Sequence, residues 1–168
     1  MRQAVTGKQQ NSRMCFVCGL KNVAGLQASF FETDAGELVA LFTPREEHQS
    51  YPGRLHGGIA SAILDEAIGR AINVGSDSEV WGVTLELTMS YRRPVPLGVE
   101  LRVVARITEE RGRQYLGSGE ILLPDGEVAV SAQGRYLKAP LERIADFDAV
   151  ENEWRVVARD DDPRHFTF

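Results

Sequence analysis

One stretch limits the folds open to this chain more than any other. Residues 57–74 form its one strong helix-forming run, rich in Ala, Ile and Leu, with Gly75 as a stop signal. Everything around it reads as strand or loop. Residues 26–33 and 37–43 flank Asp34-Ala35-Gly36 and predict a β-hairpin. After the helix come four strand-like segments, 81–91, 99–109, 114–123 and 127–137. They are separated by residues 94–98, by Arg111-Gly112 and by Pro124-Asp125-Gly126. Such short breaks favour antiparallel neighbours, because parallel strands need long crossovers. A lone apolar helix has only the sheet to bury against. The order therefore predicts an α+β fold, a curled antiparallel sheet wrapped around one long central helix.

The chain has 168 residues, one domain's worth, and its 43% apolar content suffices for a folded core. Its net charge of −5 excludes a nucleic-acid binder that works through bulk positive charge. No apolar run approaches the roughly 20 residues of a membrane helix. The polar start lacks the apolar centre of a signal peptide, so a cytoplasmic location is expected. Residues 1–14 read as a flexible tail. Residues 140–168 read as a charged extension with a short helix near 141–150. The polar loop 44–55, with its Pro52-Gly53 turn, is long enough to carry function.

Cys15 and Cys18 stand in C-x-x-C spacing, which suits a redox pair or half a zinc site. No second cysteine pair exists, and His48, His56 and His165 are scattered singly. No thioredoxin-like βαβ pattern surrounds the pair. The plain expectation is a compact turn with reduced thiols and no metal.

Placed 100° apart, Ala60, Leu64, Ala67, Ile68 and Ala71 share one face of the helix, which should meet the sheet. Asp65 and Glu66 flank that face on opposite sides. Glu66 has Arg70 at i+4, a pairing that points to a structural role. Asp65 has no basic residue three or four positions away; Ser61 and Gly69 lie four away. Small neighbours leave room for a ligand or a second helix, and an acid left there is a plain surface carboxylate, one hydrogen-bonded to a neighbouring loop, or one that does chemistry. His56-Gly57-Gly58 opens the helix. A helix N-terminus offers free N–H groups and partial positive charge, and glycines let a substrate oxygen approach them. That suits a carbonyl or oxyanion site; the plainer reading is a tight turn into the helix.

His56-Gly57-Gly58, with Asp65 seven residues after the second glycine, resembles the helix motif of hotdog-fold thioesterases. The likeness is to the phenylacetate-pathway (PaaI-like) and THEM-type branch of the 4-hydroxybenzoyl-CoA thioesterase superfamily. It extends through Gly82-Val83-Thr84-Leu85-Glu86-Leu87 and Tyr91-Arg92-Arg93-Pro94 to Leu97-Gly98, and through Gln133-Gly134-Arg135-Tyr136. Cys15-Phe16-Val17-Cys18-Gly19 with Gly25-Leu26 resembles a lead-in seen in some members. Together these cover about residues 15–138. The resemblance implies a hotdog domain over 15–139, a dimer or a tetramer built as a dimer of dimers, and hydrolysis of acyl-CoA thioesters. It implies that Asp65 is the catalytic acid and that the Gly57 N–H polarises the thioester carbonyl. Thr84 then assists the water or the acid, and His56 lies near the thioester, with Gly58 beside it. Where some relatives carry Asn or Gln to orient the water, this chain has Gln49 and Ser50.

Gly57 and Asp65 are eight residues apart on one helix, roughly 12 Å along its axis. Reacting groups must lie within about 3 Å, so one chain cannot present both to one carbonyl. Two such helices side by side and antiparallel would place Asp65 of one near Gly57 of the other, twice per two-fold dimer. Asp65 then acts as general base or as nucleophile. The substrate's coenzyme A phosphates call for basic residues, and Arg92, Arg93, Arg135 and Lys138 are the candidates, with Arg54 a further one. Tyr51, Trp81 and Tyr91 are candidates for the acyl pocket. No cofactor and no membrane or nucleic-acid partner is expected. Two rival readings use the same fold: an acyl-CoA binder without turnover, and an enoyl-thioester hydratase or dehydratase; a third is a fold with a metal at Cys15 and Cys18.

Overall fold

The apolar run folds as expected, and the sheet covers it. In the computed structural model, which describes residues 1–76 and 80–168, the elements are β1 (Arg2–Lys8), β2 (Ser29–Thr33), β3 (Leu38–Phe42), α1 (Gly57–Arg70), β4 (Val80–Tyr91), β5 (Leu101–Arg111), β6 (Gln114–Leu122), β7 (Val128–Pro140) and β8 (His165–Thr167). The strands form one eight-stranded sheet in the order β4-β7-β6-β5-β3-β2-β1-β8. Every pairing is antiparallel. The sheet is open, with β4 at one edge and β8 at the other.

All five residues expected on the sheet-facing side of α1 are buried, together with Ile63. The helix packs against β3, β4, β5, β6 and β7. Fully burying side chains such as Leu64 and Ile68 stabilises by roughly 1.5–3 kcal/mol each. Close approach depends on β6. A Cβ on Gly117 would come within 2.5 Å of Ile68 Cγ2, so a bare backbone at that position lets the helix settle onto the strand.

Three boundaries differ from the sequence reading. The α-helix stops at Arg70, and Ala71–Asn73 continues as one 3₁₀ turn. The helix expected near 141–150 shrinks to a 3₁₀ turn at Leu141–Arg143. Asp148 explains part of that: its Oδ1 accepts from the Val150 and Glu151 N–H groups at 2.8 and 2.9 Å, a local turn that competes with helix. The third difference is the N-terminus. Within residues 1–14, read as a tail, Arg2–Lys8 instead forms strand β1, which pairs with β2 on one side and β8 on the other. Asn11 is buried and donates to the Cys18 and Ala28 carbonyls at 2.8 and 2.9 Å. Phe166 of β8 packs edge-on to Phe31 of β2, with centroids 5.9 Å apart. A polar segment becomes a strand here because it is held between two partners, one of them at the far end of the chain.

Candidate active site

Asp65 projects from the middle of α1 towards β4 and β7. Its Oδ1 accepts from Thr84 Oγ1 at 2.9 Å and from the Tyr136 hydroxyl at 3.0 Å; Oδ2 accepts from Thr84 Oγ1 at 3.1 Å. The sheet register sets this up. Thr84 of β4 lies opposite Tyr136 of β7, and Tyr136 lies opposite Tyr115 of β6. One row across three strands therefore runs beneath the acid. A bulge between Thr84 and Glu86 inserts Leu85 into β4 just beyond this row, a device that re-aims side chains near sites. The two tyrosine rings stack 5.1 Å apart, and the Tyr115 hydroxyl donates to the Gly69 carbonyl at 2.7 Å. Burial, reinforced by the negative charge of Asp65, pushes both phenols above their ordinary range, so both remain donors at neutral pH.

The opening of α1 forms a second cluster. His56 caps the helix, its Nδ1 accepting from the Gly58 N–H at 2.9 Å. The His56 carbonyl accepts from Ile59 and Ala60. Three of the four opening N–H groups are thus engaged, and among the described residues none accepts from the Gly57 N–H. The Gly57 carbonyl accepts from the Tyr91 hydroxyl at 3.0 Å and from Ser61 Oγ at 3.1 Å, and those two hydroxyls lie 2.8 Å apart. Tyr91 therefore braces the helix start.

The remaining candidates divide. Gln49 Oε1 accepts from the Gly53 N–H at 3.1 Å, and Ser50 Oγ accepts from the Tyr51 N–H at 2.6 Å, so both shape the loop that leads to His56. Arg93 pairs with Glu127, Arg135 with Glu86 at 3.2 Å and Lys138 with Glu110 at 2.5 Å. The backbone N–H groups of Arg92 and Arg93 both donate to the Ala129 carbonyl, six residues along β7 from Arg135. That is roughly 20 Å of strand, so one chain does not gather the four cations into one patch. Arg54 is exposed and bridges to Pro96.

Beside Asp65 lies a largely apolar cavity of about 580 Å³, bordered by Thr84, Gly82, Trp81, Trp154, Leu141 and Ile144 among others. Trp81 thus lies where an acyl pocket was expected, whereas Tyr51 is 80% exposed and Tyr91 sits at the other end of the helix. Sequence reasoning missed two contributors. Tyr136 was legible in part: strand alternation puts it on the inward face with Ala132, and a buried phenol needs a partner. Trp154 was not, because nothing local shows the C-terminal extension folding back to meet Trp81, 5.1 Å away.

Comparison with known proteins fits this geometry. A family model described as the thioesterase superfamily matches residues 52–130. Over 93 residues the chain is 29% identical to the acyl-coenzyme A thioesterase THEM4 of Xenopus laevis, covering 55% of this chain and 40% of that one. Over 103 residues it is 24% identical to human acyl-coenzyme A thioesterase 13, covering 61% and 72%. A crystal structure of a thioesterase superfamily protein, 29% identical, superposes with a TM-score of 0.68 over 74% of this chain and 60% of that one. Matched segments span 55% and 40% of the lengths of two curated relatives, about half.

Proposed function

We propose that this chain, a hotdog-fold member of the thioesterase superfamily, hydrolyses the thioester of an acyl-CoA to a free acid and CoA, in an active site shared between two copies. One observation carries the reading: a carboxylate held by two hydroxyls at the edge of an apolar cavity, on the same helix as an N-terminal N–H for which the described residues supply no acceptor.

The acyl carbonyl lies at the start of α1, where the Gly57 N–H and the helix dipole stabilise the charge that develops on its oxygen. Asp65 of the facing copy either takes a proton from the attacking water or attacks the carbonyl carbon itself, giving a mixed anhydride that water then hydrolyses. In both routes the sulfur leaves as CoA thiol. Thr84 and Tyr136 hold the carboxylate in place, and the cavity beside it takes the acyl group. Cations from the two copies serve the CoA phosphates, and the distance between Arg92 and Arg135 in one chain favours contributions from both.

The sheet edge supports pairing. β4 is 12 residues long and ends the sheet, with Val83, Leu85 and Tyr91 exposed on it. A long, apolar edge strand is a template for another strand, and a second copy of β4 across a two-fold axis satisfies it. A homodimer follows, and a tetramer would be a dimer of such dimers. Among the described residues no helix is long and apolar enough to cross a membrane. We place the enzyme in the cytoplasm, with no membrane or nucleic-acid partner and no cofactor beyond the CoA of its substrate.

Thiol release measured over a panel of aromatic, short-chain and long-chain acyl-CoAs tests the activity. Stoichiometric free thiol and free acid from at least one class is expected. Tight acyl-CoA binding with no thiol would instead make the protein a binder, and loss of enoyl absorbance with no thiol would make it a hydratase. Tyr136→Phe is expected to keep the fold, since only a hydroxyl is removed. It should lower kcat by about 10- to 100-fold, because a hydrogen bond to a charged carboxylate contributes on the order of 1.5–3 kcal/mol. An unchanged kcat would reduce Tyr136 to a packing residue.

A further inference from the structure

We propose that Cys15, Cys18 and Glu66 form a binding site for a thiophilic divalent cation of the zinc type, beside the cavity that Asp65 borders. The sulfurs of the two cysteines and a carboxylate oxygen of Glu66 all lie within 4.8 Å of one another. Cysteine and histidine spacing cannot show this, because Glu66 is 51 residues from Cys15 and reaches it only through the packing of α1 on the N-terminal segment.

The turn around the cysteines aims hydrogen-bond donors at their sulfurs. The Val17 and Cys18 N–H groups point at Cys15 Sγ, at 3.3 and 3.5 Å. Ser12 Oγ lies 3.4 Å from Cys18 Sγ and accepts from the Cys15 N–H at 3.2 Å. N–H groups aimed at sulfur orient it, as the outer shell of a metal site does. The fold of the turn depends on Gly19, where a Cβ would come within 2.3 Å of the Cys15 carbonyl oxygen. That turn keeps both sulfurs on one side.

Glu66 divides its two oxygens. Oε1 accepts from Arg70 Nε at 2.9 Å, while Oε2 accepts from the Cys15 thiol at 3.1 Å. Arg70 is thus an outer-shell partner that orients the carboxylate and leaves Oε2 for the cation. Binding displaces the Cys15 and Cys18 protons to solvent. Two thiolates, one carboxylate, one guanidinium and a dication then sum to zero charge in a largely buried setting. Zinc takes sulfur at about 2.3 Å and carboxylate oxygen at about 2.0–2.2 Å in a tetrahedron, which spaces ligands roughly 3.5–3.8 Å apart. The three atoms, within 4.8 Å of one another, must draw in by about 1 Å to reach that spacing. Cys15, Cys18 and Glu66 all border the cavity, from which a fourth ligand would come.

Cobalt(II) added to the fully reduced protein tests the proposal. A sulfur-to-cobalt charge-transfer absorption, saturating at one equivalent per chain and displaced by zinc, is expected. Cys18→Ala should abolish it. Because a cysteine variant can fail to fold, a second measurement uses the unaltered protein: zinc should slow alkylation of Cys15 at least tenfold. Cobalt bound without the charge-transfer absorption, alkylation indifferent to zinc, or a pair that only oxidises to a disulfide and binds no cation when reduced would each overturn the site. Thiol release is read separately, so failure here leaves the proposed hydrolysis standing.

Discussion

Asp65→Asn is expected to lower kcat by about 10²–10⁴-fold, the usual contribution of a positioned acid or base, with the fold intact. The substitution is close to isosteric. Oδ1 can still accept from Tyr136, and the Thr84 hydroxyl can rotate to accept from the new amide, so the local hydrogen bonds survive. What is lost is the group that takes a proton or attacks. Turnover equal to wild type would remove Asp65 from the chemistry. The companion variant is Gly57→Pro, which deletes the helix-opening N–H. Proline is tolerated at the first helical position, and the preceding His56 already has φ −64 and ψ 133, the backbone that a residue before proline prefers. Each variant alone should be inert. Mixed at random, half the dimers are heterodimers with one intact site of two, so about a quarter of wild-type activity should return. No recovery in verified heterodimers would confine the site to one chain.

Arg70→Met is expected to destabilise the protein by about 3–5 kcal/mol, the range for removing one partner of a buried ion pair. Arg70 is buried and paired with Glu66 at 2.8 Å, and it donates to the Gln10 carbonyl at 2.9 Å. Its guanidinium lies over Phe30 at 4.3 Å and near Trp154 and Trp81 at 5.3 and 5.7 Å. Burial, the largest single influence, weakens its hold on the proton, but Glu66 and the two cysteine sulfurs together outweigh it and the net shift is upward. Methionine fills much of the volume but leaves Glu66 without its cation and the Gln10 carbonyl without a donor. At roughly 2–4 °C per kcal/mol for a chain of this size, Tm should fall by about 6–20 °C. Replacing Glu66 as well, as Glu66→Leu, should recover a large part of the loss, because no unpaired charge is then buried. A loss under about 1 kcal/mol in urea denaturation would show that Arg70 is dispensable to the joint between the N-terminal segment, α1 and the C-terminal extension.

The central helix, its sheet-facing residues, the hairpin and the run of antiparallel strands were all legible because each depends on local periodicity and on turn residues. Gly36 takes a positive φ of 73° in the β2–β3 turn, as the Asp34-Ala35-Gly36 stretch leads one to expect. The Asp65–Thr84 pair was foreshadowed by family resemblance, not by spacing. The N-terminal strand was misread because β1 forms by pairing with β2 and with β8, the latter more than 150 residues away in the chain. The same holds for Trp154 over Trp81 and for Glu66 beside Cys15.

By itself the sequence determined what one segment can settle alone: helix or strand, which face is apolar, and which acid on the helix lacks a neighbouring base. Tertiary structure decided which distant groups share a space. It supplied the two hydroxyls on Asp65, the extension that borders the cavity, and the carboxylate that meets the cysteines. Side-chain direction along one element follows from backbone geometry, whereas contact across elements depends on register and packing, which no single segment encodes.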